Sequence, residues 1–213
     1  MKKQLTQMRT KFLLITLFFT GVNFVFAQNP DEQPAFRYFN KTEAGVGIGF
    51  GSFKTDIDTN YHQKKIRNDQ IIIAVQTING ICISGRAGLG IGIGAEFWQK
   101  GMFYPVFAHL YYDFKKEENT PFAYMNLGKA FGTRYNTYYY DSGKGGLLFG
   151  IGAGYKMKVS KRLQFEYALF YRYQAIFSSY QTEYLSKGKV LTSTTDYKVP
   201  YNFAGFRIAV IFR

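Results

Sequence analysis

The segment "GLGIGIGAEFW" at residues 88–98 alternates glycine with apolar residues. A period of two is the period of a β-strand, in which successive side chains point to opposite faces. A phosphate-binding loop fits poorly, because the dinucleotide fingerprint is G-x-G-x-x-G at the start of a helix, and no GK[ST] sequence follows here. The segment therefore predicts a strand with one apolar face and one glycine face.

The same alternation recurs along the chain, as in "EAGVGIGFG" at 43–51 and "RLQFEYALFYRYQ" at 162–174. Division at turn-forming residues gives eight predicted strands, at about 42–51, 70–83, 86–98, 103–114, 121–132, 145–158, 162–178 and 201–212. Three predicted connections are short and charged, at 84–86, 115–120 and 159–162. Three others are long and polar, at 52–69, 133–144 and 179–200, and the connection at 99–102 is tight. Short turns on one rim and long loops on the other are typical of transmembrane β-barrels.

The N-terminus has the pattern of a secretory signal peptide, with basic residues before an apolar run from Phe12 to Phe26 and a small residue, Ala27, before the cleavage site. We therefore expect a signal peptide at 1–27, an N-terminal periplasmic segment at 28–41 and a barrel domain at 42–213. Cys82 is the only cysteine, so no internal disulfide is expected. Four of the thirteen net positive charges precede the cleavage site. For the remaining charges of an exported protein, lipid phosphates are a more available anionic partner than nucleic acid.

With the final strand "RIAVIF" at 207–212, the chain resembles small outer-membrane β-barrels of the OmpA/OmpX-like superfamily of Gram-negative bacteria. The resemblance implies an all-β fold, an eight-stranded antiparallel transmembrane up-and-down β-barrel. It also implies an outer-membrane location with both termini in the periplasm, and a monomer. The expected partners are outer-membrane lipid, lipopolysaccharide and, through the C-terminal strand, the outer-membrane assembly machinery; no nucleic acid and no cofactor are expected.

The distribution of charge predicts which face of each strand points outward, since Lys or Arg facing the middle of a bilayer costs about 2–4 kcal/mol. The predicted lipid-facing residues are Val46, Ile48, Leu89, Ile91, Ile93, Phe149, Ile151, Leu169, Ile208 and Val210. The predicted lumen glycines are Gly45, Gly47, Gly49, Gly88, Gly90, Gly92, Gly94, Gly150, Gly152 and Gly154. The predicted polar cluster of the lumen is Glu43, Glu96, His109, Asp113, Lys156, Glu166, Arg172 and Arg207.

The lumen of an eight-stranded barrel is narrow, so we expect its glycines to make room for large side chains from other strands, and its charges to form an ionic plug. Aromatic residues near strand ends are expected in girdles at the two membrane interfaces; they are Phe103, Tyr104, Tyr111, Tyr112, Tyr138, Tyr139, Tyr140, Tyr171, Tyr173 and Tyr201. A carbohydrate-stacking surface is the alternative for Tyr138, Tyr139 and Tyr140. The alternative fold is a soluble lipocalin-like barrel, with the apolar face inward around a ligand.

The favoured function is structural or surface-interactive, meaning envelope integrity, adhesion or ligand binding by the external loops. One alternative is a narrow channel or ligand conduit through the lumen. Another is an outer-leaflet lipid enzyme, although only His62 and His109 could serve as bases, and no serine is paired with either at a recognisable spacing. We therefore predict no enzyme activity and name no catalytic residue and no metal site.

Overall fold

The computed structural model describes residues 37–55, 64–83, 85–99, 101–117, 119–132, 142–186 and 189–212. The predicted signal peptide, His62 and most of the predicted loop at 133–144 lie outside these residues. The strands of the described part are β1 Arg37–Phe50, β2 Ser52–Thr55, β3 Lys64–Arg67, β4 Ile71–Cys82, β5 Ala87–Trp98, β6 Gly101–Asp113, β7 Thr120–Gly132, β8 Ser142–Lys158, β9 Leu163–Ser186 and β10 Lys189–Phe212. The described residues include no helix that is long and apolar enough to cross a membrane.

Eight of the strands form a closed barrel in the order β1-β10-β9-β8-β7-β6-β5-β4, while β2 and β3 form a separate hairpin. All the pairings are antiparallel, and β1 closes the barrel by pairing with both β4 and β10. The predicted all-β fold, an eight-stranded antiparallel up-and-down β-barrel, is confirmed. The start of β1 and the end of β10 meet on one rim, where Asn40 lies opposite Phe212.

Several strand boundaries differ from those predicted. β1 begins at Arg37 rather than near 42, so residues 37–41 belong to the barrel rather than to the segment that precedes it. The predicted long loop at 179–200 is instead mostly β-hairpin, because β9 and β10 remain paired as far as Ser186 and Lys189. The predicted loop at 52–69 contains the β2–β3 hairpin, which Gly51 connects to β1 with a φ of 85°, in the left-handed region that glycine tolerates best.

The outer wall of the barrel is apolar. Ile48, Ile91 and Leu169 are at least 65% exposed, and large apolar side chains are exposed on all eight strands of the barrel. Polar and charged side chains are buried on the opposite face of the same strands. This arrangement is the reverse of a lipocalin-like soluble barrel and is that of a transmembrane barrel, so the soluble alternative is wrong.

The interior contains aromatic rings as well as charges. Phe39, Phe107, Phe122, Tyr124 and Phe203 are buried inside the barrel.

Phe103 and Tyr111 are also buried, and Tyr201 packs against the same cluster. The prediction of an interfacial girdle was therefore wrong for these three residues. Their neighbours Tyr104 and Tyr112 are exposed on the outer wall.

Candidate functional site

The candidate site is the lumen of the barrel, which is lined by the inward positions of eight strands. The structure buries all eight side chains of the predicted polar cluster there, each with at most 7% of its surface exposed. It adds Lys41, which is 2% exposed and which the predicted strand boundary had left outside the barrel.

Six charged side chains of alternating sign form a continuous series of ion pairs through the lumen, beginning near the rim where β1 begins and β10 ends. The Lys156 ammonium lies 2.7 and 2.9 Å from the two carboxylate oxygens of Asp113 and 3.5 Å from Glu166. Glu166 in turn lies 3.5 Å from the Lys41 ammonium.

Lys41 continues the series, 3.5 Å from Glu43, and the guanidinium of Arg207 donates a hydrogen bond to that Glu43 carboxylate. A seventh and an eighth charge form a separate ion pair, Arg172 with Glu96. Among the described residues, the lumen thus holds four cations and four anions, and each of these buried charges has a partner of opposite sign, which is the condition for burying charge without a severe desolvation cost.

His109 lies beside these ion pairs and is held on both sides. Its Nε2 is 3.0 Å from the Lys41 ammonium, and its Nδ1 is 2.7 Å from Asn126 Oδ1. An ammonium can only donate, so Nε2 accepts and Nδ1–H donates to the amide oxygen, which makes the imidazole neutral. Both ring nitrogens are occupied, so His109 has a structural role within the polar cluster rather than that of an available base.

Aromatic rings fill the space between the ionic groups. The Arg207 guanidinium carbon lies 3.4 Å from the centre of the Tyr124 ring, and the Lys156 ammonium lies 4.5 Å from that of Tyr111. Cation–π contacts of this kind stabilise desolvated cations. The polar cluster and the aromatic cluster are therefore one packed core.

The predicted lumen glycines occupy inward positions, and several face these rings directly. A Cβ atom on Gly88, Gly92 or Gly152 would overlap the ring of Tyr111, Phe107 or Tyr124, respectively. Within "GLGIGIGAEFW", Gly88 and Gly92 therefore make room for aromatic side chains on the neighbouring strand β6, whereas a Cβ on Gly90 or Gly94 would crowd the backbone of β4. Gly150 is different, because a Cβ there would meet nothing closer than 3.6 Å.

Aromatic residues fill the lumen toward the rim that carries the β2–β3 hairpin and the β9–β10 connection, called here the long-loop rim. Trp98 contacts Phe103, Tyr201 and Phe203, with ring centroids 4.8 to 5.1 Å apart. Toward the opposite rim, the space beside Phe39 has no room for a water molecule. The lumen is therefore blocked at both levels by packed side chains.

A small polar cavity lies between the Glu43–Arg207 and Arg172–Glu96 ion pairs. Its volume is about 30 Å³, and its lining includes Gln76 and Gly150. Among the described residues, Gln76 Oε1 and two nitrogens of Arg207 have no hydrogen-bond partner. The volume and the polarity suit one or two water molecules. No three His, Cys, Asp or Glu side chains of the described residues are grouped so as to hold a metal ion.

Eight of the predicted lipid-facing residues are exposed on the outer wall, and the other two, Phe149 and Val210, are partly exposed there. The sequence analysis expected large side chains from other strands in the lumen but did not assign the inward aromatic rings by residue, and its polar cluster left out the amides Gln76, Asn126 and Gln174, which are buried. Their inward direction follows from the strand period once the register is known.

No protein-family model matches the sequence, and no curated protein matches it. Several solved structures have a similar fold. The outer membrane protein OprG from Pseudomonas aeruginosa aligns with a TM-score of 0.51 at 11% identity, covering 81% of this chain and 95% of OprG. Neisserial surface protein A aligns with a TM-score of 0.46 at 13% identity, covering 84% of this chain and 97% of that protein. At these identities, the likeness to OprG shows a common fold and nothing finer.

Proposed function

We propose that this protein is an integral outer-membrane protein whose barrel is an anchor and whose long-loop rim binds an external ligand or surface. Outer-membrane lipid and lipopolysaccharide would surround the apolar outer wall. Because β1 begins and β10 ends on the same rim, the short-turn rim with both chain termini would face the periplasm. The opposite rim, which carries the β2–β3 hairpin and the β9–β10 connection, would then face outward.

The observation that carries this proposal is the length of the β9–β10 hairpin. β8 pairs with β9 only as far as Ser179, and β1 pairs with β10 only as far as Asn202. Beyond these points, residues 180–186 pair with residues 189–195, and residues 196–201 pair with residues 174–179. At about 3.3 Å per residue, β9 extends about 23 Å past its last described pairing with β8. Among the described residues, no third strand pairs with the outer edges of residues 180–186 and 189–195, and such edges suit the binding of a partner.

The packed lumen supports an anchoring role over transport, because ion pairs and rings occupy the cross-section at successive levels. A narrow conduit remains the second candidate, and the polar cavity beside Arg172 favours it. Planar-bilayer recording separates the two functions. The anchor predicts no steady current above the lipid background, whereas reproducible single-channel steps would support the conduit.

The test of the membrane anchor is fractionation of cells that express the full chain. We expect the protein in the outer-membrane fraction, released only by detergent and migrating faster on a gel before boiling than after it, because closed barrels resist unfolding by cold detergent. Recovery in the soluble fraction without detergent would overturn the proposal.

The test of the surface role is a variant in which residues 181–194 are replaced by Asn-Gly, a two-residue turn that favours tight hairpins and keeps Tyr180 opposite Thr195. The variant should keep the heat-dependent gel shift of the wild type and lose any surface phenotype that the full chain confers, such as cell adhesion or ligand capture. The readouts are adhesion of expressing cells and their resistance to detergent. If the shortened barrel corrects every defect of a strain that lacks the protein, the role is structural and does not depend on the hairpin.

A further inference from the structure

The turn between β8 and β9, at residues 159–162 on the short-turn rim, combines three features that match a charged lipid. Its backbone is fixed: Val159 N and Ser160 N both donate to Leu163 O, at 2.9 and 3.0 Å. Ser160 O accepts from Leu163 N at 3.4 Å, so that Lys161 and Arg162 occupy the two central positions of a β-turn. Both basic side chains are exposed and are held at the edge of the barrel.

An apolar surface lies directly beside these two cations. Val159 is 63% exposed, and Met157, two residues earlier on the outer wall, is 37% exposed. A basic pair at the end of an exposed apolar strip fits a molecule with an anionic head and a hydrocarbon tail. A soluble acidic protein would use the charges but would leave the apolar strip uncovered.

The neighbouring turn of the same rim differs in charge. Lys158 N–H donates a hydrogen bond to Asn119 Oδ1 of the adjacent connection at 2.9 Å, so the two turns are next to each other. In that connection Lys115 lies 4.0 Å from Glu117, and the sequence "KKEE" at 115–118 is neutral. By contrast, no ion pair joins Lys161 or Arg162 to a carboxylate of the described residues.

We propose that the β8–β9 turn is a binding site for the headgroup of an anionic glycerophospholipid in the leaflet that meets the short-turn rim. The phosphate would bind between Lys161 and Arg162, because a guanidinium offers two parallel N–H donors to a phosphate and an ammonium adds a point charge. An acyl chain would lie against Val159 and Met157. The inference rests on the proposed membrane placement and adds a lipid preference to it.

The test compares wild type with a Lys161→Gln, Arg162→Gln double variant and with a matched Lys115→Gln, Lys116→Gln control. Each protein is placed in nanodiscs of equal parts phosphatidylglycerol and phosphatidylcholine with identical acyl chains, then released and analysed by native mass spectrometry. We expect wild type to retain phosphatidylglycerol over phosphatidylcholine by about 25-fold, since each of the two basic residues contributes about fivefold in affinity near an anionic surface. The double variant should retain the two lipids equally, and the control should keep most of the preference.

Three outcomes overturn the proposal. Equal retention of both lipids by wild type would show that the protein has no preference for phosphatidylglycerol. An unchanged preference in the double variant would show that the preference arises at a site other than the β8–β9 turn. Displacement of phosphatidylglycerol by excess inorganic phosphate identifies a soluble anion as the ligand instead. Incorporation and the gel shift are measured first: failure of wild type to enter nanodiscs contradicts the membrane placement itself, whereas entry without a lipid preference contradicts the lipid site alone.

Discussion

At the scale of single residues, the lumen requires its glycines to different degrees, which the sequence does not distinguish. A Cβ on Gly92 would overlap the ring of Phe107, whereas a Cβ on Gly150, beside the polar cavity, would make only ordinary van der Waals contacts. Both glycines occur in the same alternating pattern. The requirement for glycine is therefore set by the atoms that face it on the neighbouring strands, not by the pattern.

We expect Gly92→Ala to destabilise the barrel and Gly150→Ala to leave it unchanged or slightly stabilised. A methyl group at 92 overlaps the Phe107 ring, and overpacking of this kind costs about 1–3 kcal/mol. A methyl group at 150 meets Asn126 Cβ at 3.6 Å, and removing a glycine from a strand recovers about 0.5–1 kcal/mol. The measurement is the free energy of unfolding in lipid vesicles from a denaturant titration. Equal losses for the two variants would contradict the assignment of Gly92 to ring accommodation.

At the scale of the strand, the alternation of apolar and polar residues predicted eight strands because the two faces of each strand meet different environments, lipid outside and the lumen inside. The strand prediction was wrong where the two faces do not differ in this way. In "RYFNK" at 37–41 the outward residues Tyr38 and Asn40 are polar or amphipathic. The predicted strand therefore began too late and left out the first residues of β1, including the buried Lys41. Beyond the barrel, β9 and β10 do not separate lipid from the lumen, so their sequence does not alternate between apolar and polar residues. It was therefore interpreted as a loop.

The alternating pattern could not assign the interior aromatic residues to a face of the sheet, for a related reason. In β6 the inward positions include Phe103, Phe107 and Tyr111, while Tyr104 and Leu110 face outward, so both faces are apolar. Periodicity cannot assign such a strand. The charged residues of the lumen were found because a charge cannot face hydrocarbon, whereas an aromatic residue is acceptable on either side.

The outer face of β5 gives a direct test of strand orientation. Ile91 lies near the middle of β5 and is 66% exposed on the outer wall. In a bilayer, Ile91→Lys should reduce the free energy of unfolding by about 2–4 kcal/mol, and Val159→Lys at the rim by about 0–1 kcal/mol, because the cost of a cation depends on depth.

Both variants are measured by denaturant titration in the same lipid vesicles. A loss at Ile91→Lys no larger than that at Val159→Lys would mean that this wall does not face hydrocarbon.

At the scale of the whole molecule, the barrel separates its charges by location. Among the described residues, the lumen buries four cations and four anions, so its charges sum to zero. A neutral interior is what a low-dielectric core requires, since an unpaired buried charge is far more costly than a paired one. The same balance gives the described lumen no net charge that would favour ions of one sign.

The last prediction tests this neutrality through Glu43 and Arg207, which are joined by a hydrogen bond on neighbouring strands. Glu43→Gln alone or Arg207→Gln alone leaves one uncompensated charge and should cost about 3–5 kcal/mol of unfolding free energy. The double variant restores equal numbers of cations and anions, so its loss should be well below the sum of the two single losses. Denaturant titration of the four proteins in lipid gives the coupling energy, and additive losses would show that the lumen does not depend on charge balance.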